Sequence, residues 1–590
     1  MAIAALLKET VTESLTALYH QPFSDKDFQV NQTKPEFEGD YTIVLFSLIK
    51  KLKKSPDAAG NELGTYLTGT YPQLFRAYNI IKGFLNLSIA ESYWLQVLEN
   101  NYGNSSYGQQ PANGESVMVE YSSPNTNKPL HLGHLRNNFL GWSTAAILKA
   151  NGYTIVKTCI ANDRGIHICK SMVAWQLFAN GATPESTGMK GDHFVGDYYV
   201  LFGQELKKQV EELVGKGSSK EDAEKQAPIM LQAQQMLVDW EAGKPEVIDL
   251  WKKMNSWVYA GFDTTYKRIG SDFDKTYYES DTYLLGKDLV ALGLDKGVFF
   301  QKEDGSVWID LTADGLDEKI VRRRDGTAVY ITQDIGLAVK KQEEFHCGKS
   351  IYVVGNEQDY HFKVLKLICQ KLDLAGADGI FHLSYGMVEL PSGRMKTREG
   401  TVVDADDMID EMVNVSKQKT EELGKVKDFT EEELKDLFDT IGLGALKFFL
   451  LRVDPKKKML FNPDESIDFH GFTGPFIQYT HARIKSILRK EPVAAASITA
   501  ALLPLEKELL ITLEQYPAMI EQAAAEYNPS LIANYVYAVA KTFNSFVTEH
   551  KVLTAETAEK KQLRLRLCQM SAHIIASGMG LLGIRVPERM

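Results

Sequence analysis

Residues 122–134 read SSPNTNKPLHLGH, with two histidines, His131 and His134, three positions apart and Gly133 between them. They stand directly after VMVEYSS, an apolar run with strand character, and directly before LRNNFLGWSTAAILKANG, a helical pattern stopped by Gly152. A helix N-terminus offers unpaired N–H groups and the positive end of its dipole, which together favour phosphate. Gly133 lets a planar group such as a purine approach the backbone. The two imidazoles can donate to phosphoryl oxygens that gain charge in a transition state. His-x-x-His could also supply two metal ligands, but nothing nearby offers a third and fourth, so a metal ranks below phosphate. Capping and packing alone rank lower too, because the pair sits at the carboxyl end of a strand in an α/β pattern.

A second polar cluster, GRMKTREGTVV at 393–403, follows the strand pattern YGMVEL and combines Arg394, Lys396 and Arg398 with Gly393 and Gly400. A glycine-flanked basic loop suits closure over a polyphosphate, where cations stabilise charge. By contrast, GMGLLG at 578–583 matches a dinucleotide fingerprint only in letters. It follows a helix rather than a strand and reads as small residues ending that helix. No G-x-x-x-x-G-K-[ST] loop occurs.

Two phosphate-binding turns require a parallel sheet to hold them. VMVEYSS, the helix after it and YTIVKTCIA form a βαβ unit, and strand signals resume at SVWIDL, TAVYIT, SIYVVG and YGMVEL. The expected fold is α/β: a Rossmann-like parallel-sheet domain over 109–455 with a helical insertion at about 180–320. Residues 1–108 read as a small α+β domain, opened by a helix whose stripe is Ile3, Leu7, Val11, Leu15 and Leu18. Residues 456–590 read as an all-α bundle, with Leu531, Tyr535, Val539, Phe543 and Phe546 on one buried face. At 590 residues, with 44% hydrophobic and 24% charged residues, the chain is an ordinary multidomain globular protein. The opening helix carries Glu9 and Glu13 and no cationic leader, so it is not read as a signal peptide, and a cytoplasmic location is expected. Five scattered cysteines without a CxxC pair signal neither a disulfide framework nor a zinc ribbon. A net charge of −11 argues against indiscriminate nucleic-acid coating, while leaving room for a structured RNA on a local basic surface.

HLGH followed by RMKTREG resembles the paired signatures of class I aminoacyl-tRNA synthetases. The flanking stretches VEYSSPNTNKPLHLGHLRN, RRRDGTAVYITQDIG, YVVGNEQDYHF and GPFIQYTHARI are similar to the arginyl-tRNA synthetase family, as are FEGDYT and IIKGFLNL near the start. The resemblance covers nearly the whole chain. It implies an ATP-dependent ligase that forms arginyl-adenylate and transfers arginine to the terminal 2′-hydroxyl of tRNA(Arg). Magnesium accompanies ATP, no structural metal is implied, and activation depends on bound tRNA. The second signature departs from the family pattern, with Arg394 for the usual lysine and Lys396 for serine. The resemblance assigns the missing phosphate contact to Lys128 before Arg394. It places Gly133, His131, His134, Met395, Thr397 and Arg398 on ATP, with Lys396 in the same loop. It places Glu120, Asn125, Tyr330, Asp334 and Gln358 on arginine.

That last set makes chemical sense. A guanidinium presents five donors and is matched by carboxylates in fork geometry, so Glu120 and Asp334 are expected on the side chain, with Tyr330 beside them. Asn125 and Gln358 then hold the ammonium and carboxylate end. The resemblance further implies tRNA contacts by Gln478, Tyr479, Arg483 and Met590 at the anticodon, in a bundle that is anticodon-binding, and by Asn86 at the elbow. A monomer without membrane segments is expected. The rival readings are another class I synthetase, with thiolate zinc ligands if for cysteine, and a non-catalytic RNA-binding paralogue. Intact His131, His134, Glu120 and Asp334 argue against the latter.

Overall fold

The computed structural model describes residues 3–34, 36–389, 403–422, 428–494 and 498–590. Its first helix, Ile3–Tyr19, buries Ile3, Leu7, Val11 and Leu15, one per turn. This helix packs on β1 (Gln29–Gln32) of an antiparallel sheet completed by β2 (Tyr41–Val44), β3 (Phe75–Ile81) and β4 (Phe84–Ile89), in the order β1-β2-β4-β3.

The central sheet has five parallel strands: β5 (Ser116–Glu120), β6 (Thr154–Ala161), β7 (Lys275–Tyr278) and two from further along the chain. Between them lies a small antiparallel sheet of β8 (Phe300–Gln301), β9 (Val307–Ile309) and β10 (Lys319–Arg322). Then β11 (Lys349–Gly355) and β12 (Ile380–Tyr385) give the order β12-β11-β5-β6-β7. The chain runs outward from β5 through β7 and then crosses to build the other half. The order therefore reverses between β5 and β11, where an open α/β sheet leaves a crevice at its carboxyl ends. Val117, Val119, Ile351 and Val353 at the centre are at most 1% exposed, as strands covered on both faces require. A short parallel pair, β13 (Val388–Glu389) with β14 (Met459–Leu460), lies beyond β12.

Two local expectations change. The helices Gly191–Gly215, Lys220–Gln226, Pro228–Glu241 and Pro245–Ile269 do stand between sheet strands, but the chain rejoins the sheet at β7, inside the span read as a 180–320 insertion. TAVYIT is not a strand: helix Tyr330–Phe345 starts within it, preceded by extended Val329. β-Branched residues there supply the buried stripe Ile331, Thr332 and Ile335 of that helix.

The C-terminal part is a bundle of helices, including Gly474–Lys490, Pro529–Glu549 and Ala558–Leu581, with Tyr535, Val539, Phe543 and Phe546 in its core. GMGLLG does end the last helix, and Gly583 takes a φ of 68°, a conformation that favours glycine at a helix C-terminus. Among the described residues no helix is long and apolar enough to cross a membrane.

Candidate active site

The turn after β5 is fixed by the helix that follows it. Ser122 adopts a φ of 62°, strained for a residue with a side chain, and is held there by its neighbours. Its N–H donates to Asn137 Oδ1 (2.6 Å), while its hydroxyl bonds Tyr266 OH (2.7 Å) and accepts from Asn138 Nδ2 (3.2 Å). Asn137 Nδ2 in turn donates to Val353 O of β11 (2.6 Å), so one asparagine ties the turn to the strand across the crevice. Gly141 of the same helix lies under Tyr121, and a Cβ there would come within 2.3 Å of that ring. Residues 123–127 then run beside β6, with Thr126 N–H donating to Asn162 O (3.1 Å).

The helix Leu132–Ala150 opens on the two histidines, which form its capping box. Gly133 N–H donates to His131 Nδ1 (3.1 Å), and His131 N–H donates to His134 Nδ1 (3.1 Å). The ring centroids are 3.8 Å apart. With both Nδ1 atoms accepting, each neutral imidazole must carry its proton on Nε2, so both rings present an Nε2–H donor. Burial, reinforced by the Lys128 ammonium, pushes His131 down to about 4. Burial, then His131 and Lys128, holds His134 well below its ordinary value. Burial, then the Lys170 and Lys128 ammonium groups, lowers His167.

A pH dependence follows. The folded chain keeps these rings neutral, whereas an unfolded chain protonates them near pH 6.5. Their contribution to stability is therefore complete above about pH 6.5 and is lost as pH falls toward 4. Thermal midpoints of wild type and His131→Asn against pH should show a shallower acid decline in the variant; parallel declines would contradict the neutral pair.

A cavity of about 750 Å³ opens beyond the carboxyl ends of β6 and β7 and is lined by Asn125, Tyr330 and Asp334. Tyr330 and Asp334 lie one turn apart at the start of their helix, and Tyr330 is 73% exposed. Asp334 is held by His361 Nε2 at 2.7 Å. The sequence reading missed Glu279, which stands directly after β7 and lines the same cavity. Burial raises its pKa, the nearby Arg164 opposes this, and the charges of Asp163 and Asp334 add to the rise. Glu241 also lines the cavity but is paired with Arg164 (2.9 Å), whose guanidinium lies 3.8 Å over the Tyr283 ring. Asp334 and Glu279 are the lining carboxylates not paired with Arg164, and Lys287 and Arg323 line the same cavity. A strand-end acid is where an α/β site is sought. β7 itself is only four residues long, too short for alternation to announce it.

Glu120 ends β5 and is not among the residues lining this cavity. It is 8% exposed, ion-paired with Lys341, which is 2% exposed, and accepts from Thr158 Oγ1 (3.3 Å). Gln358 lies on the turn after β11, exposed and outside the cavity wall. Arg394, Met395, Lys396, Thr397 and Arg398 lie outside the described residues. Asp192, His193 and Asp406 are close enough to share a cation. That place is already taken by Lys190 Nζ, 2.9 Å from Asp192 and 2.7 Å from Asp406.

A second cavity, about 670 Å³, is lined by Tyr479, Arg483 and Met590 together with Phe429, Arg489 and Val547. Arg483 is oriented by Asn544 Oδ1 (2.9 Å). Gln478 does not belong to its surface. Fully buried, it donates to Thr440 O (3.0 Å) and Arg585 O (2.8 Å) and so secures the segment that ends at Met590. Asn86 is likewise buried at 1%, donating to Asn79 and accepting from Thr42. Both side chains are buried in this structure. Beside Asn86 on β4, Phe84 is exposed and packs edge-on against exposed Phe46 at 5.5 Å.

A parallel α/β sheet with a histidine signature at its switch point, joined to an all-α bundle, defines a class I aminoacyl-tRNA synthetase. Family models agree: "tRNA synthetases class I (R), catalytic domain" matches 96–462, "Arginyl tRNA synthetase N terminal domain" 5–89 and "DALR anticodon binding domain" 477–590. The arginine–tRNA ligase of Bacteroides thetaiotaomicron is 53% identical over all of both chains. That of Flavobacterium psychrophilum is 52% identical over 99% of this chain and all of its own. The solved Thermus thermophilus arginyl-tRNA synthetase shares the fold along both whole chains, with a TM-score of 0.79 at 24% identity. The chain belongs to the arginine–tRNA ligase family.

Proposed function

We propose that the ligation of arginine to tRNA(Arg), driven by ATP, runs on this chain at the carboxyl ends of the central strands, with the nucleotide at the turn after β5 and arginine in the cavity beyond β6 and β7. The observation that carries the reading is the pair of carboxylates, Asp334 and Glu279, on a cavity that Asn125, in the turn leading to the histidine-capped helix, also lines. A guanidinium between them completes two charge-assisted forks, with Tyr330 alongside. Asn125 and Gln358 orient the amino-acid end. ATP, carrying magnesium, lies over Gly133 and the helix N-terminus, where the two Nε2–H donors meet its phosphates.

The arginine carboxylate then attacks the α-phosphorus in line, and the bond to the bridging β-phosphate oxygen breaks, releasing pyrophosphate. Lys128, His131, His134, Arg394 and Lys396 stabilise the charge on the phosphates, with Met395, Thr397 and Arg398 in the nucleotide-binding loop. The terminal ribose 2′-hydroxyl next attacks the adenylate carbonyl and AMP leaves. Positioning and electrostatics supply most of the acceleration, so no strong general base is required. The bundle, 456–590, receives the anticodon at Tyr479, Arg483 and Met590, where unstacked bases meet aromatic and cationic side chains. The catalytic unit is 109–455, and 1–108 meets the elbow through the surface above Asn86. The protein acts as a monomer in the cytoplasm.

Lys128 tests the phosphate assignment. Lys128→Ala should slow arginine-dependent pyrophosphate exchange by about 10²-fold while leaving tRNA affinity within about twofold. Equal losses in both would remove Lys128 from that role.

A further inference from the structure

Arg136, two residues beyond His134, is a buried charge that the proposed chemistry does not use. It is 0% exposed, and among the described residues no carboxylate pairs with it. Its guanidinium donates to three backbone carbonyls: Nη1 to Gly386 O (2.6 Å), and Nη2 to Pro455 O (3.2 Å) and Lys457 O (3.0 Å). Burial pushes it down to about 10, so it stays charged at neutral pH. Enclosing a cation with no carboxylate in direct contact is costly, and three neutral acceptors with the more distant Asp454 charge offset only part of that cost.

What it joins gives it a function. Gly386 and residues 455–457 are the segments running into β13 and β14, and Gly386 N–H also donates to Pro455 O (2.9 Å). After β13 the chain passes through 390–402, the stretch carrying the second signature. From residue 403 it is bound again to the first one: Leu132 N–H donates to Val403 O (3.0 Å), and Ala405 N–H donates to Leu130 O (2.9 Å). Residues 130–136 therefore hold the chain on both sides of the second signature, through backbone on one side and Arg136 on the other.

Resting on the ligase reading above, we propose that Arg136 is a positioning residue for adenylate formation: it sets the spacing between the histidine-capped helix and the strand that leads into the second signature. Lysine cannot span three carbonyls, so Arg136→Lys keeps the charge and loses the geometry. Gly386→Ala disturbs the same junction without touching the charge, because its Cβ would come within 2.7 Å of Lys457 C and O and Lys458 N.

The experiment compares wild type, Arg136→Lys and Gly386→Ala in two steps: arginine-dependent pyrophosphate exchange with tRNA(Arg) present, and transfer to tRNA from supplied arginyl-adenylate. For both variants the exchange kcat should fall about 10²-fold, with transfer held within about threefold, because only the first step needs the phosphate groups aligned. Equal losses in the two steps would show a general structural role and overturn the proposal, as would folded variants with wild-type exchange. Absence of exchange in wild type would break the ligase reading instead.

Discussion

Asp334→Asn lowers kcat/KM for arginine by about 10²–10³-fold, with KM for ATP nearly unchanged, if the guanidinium binds between Asp334 and Glu279 in the cavity. Asparagine keeps the shape and a hydrogen bond to His361 but removes one of the charges that Asp334 and Glu279 present to the cavity. A guanidinium enclosed there would lose a charge-assisted fork while still shedding its water, which is why the effect exceeds that of an exposed ion pair. Glu279→Gln should give a loss of the same order. Because burial and Asp334 raise the Glu279 pKa, arginine binding should also weaken on acidification sooner than an ordinary carboxylate would allow. Steady-state kinetics with each substrate varied in turn check both variants. A rise in KM for ATP equal to that for arginine would mean that the cavity is not the arginine site.

The second large effect separates capping from chemistry at the histidine signature. Asparagine is among the best N-cap residues, so His131→Asn should preserve the bond to Gly133 N–H that starts the helix. It removes the Nε2–H aimed at the phosphates. Pyrophosphate exchange should therefore fall about 10²–10³-fold, in the range seen when one donor to a developing oxyanion is lost. The thermal midpoint at pH 7.5 should move only slightly. A large drop in the midpoint with a proportionate loss of activity would make His131 a capping residue and nothing more.

The parts of this site that could be read from sequence are those whose chemistry is local. The strand–histidine–helix run needs only periodicity and the physics of a helix N-terminus, and Asn125, Tyr330 and Asp334 do converge on one cavity. What a sequence does not display is a partner brought in from a distant element. Glu120 pairs with Lys341, 221 residues away in the chain. Glu279 passed unnoticed because a four-residue strand, Lys275–Tyr278, shows too little alternation to reveal that it joins the main sheet. Gln478 and Asn86 are polar residues in element interiors, and their burial depends on Arg585, Thr440, Asn79 and Thr42 bonding them from other elements. Arg136 stood in plain view in HLGHLRN, yet its role rests on carbonyls more than 200 residues downstream.

The central claim is that two carboxylates on the cavity beyond β6 and β7 select arginine for activation. Pyrophosphate exchange with tRNA present, run in parallel with arginine, lysine and citrulline, tests it most directly. Lysine carries the charge without the fork, and citrulline carries the shape without the charge, so either would leave a carboxylate unmatched. The account predicts exchange with arginine and, for the other two, rates lower by about 10³-fold or more. Comparable exchange with lysine or citrulline would contradict it.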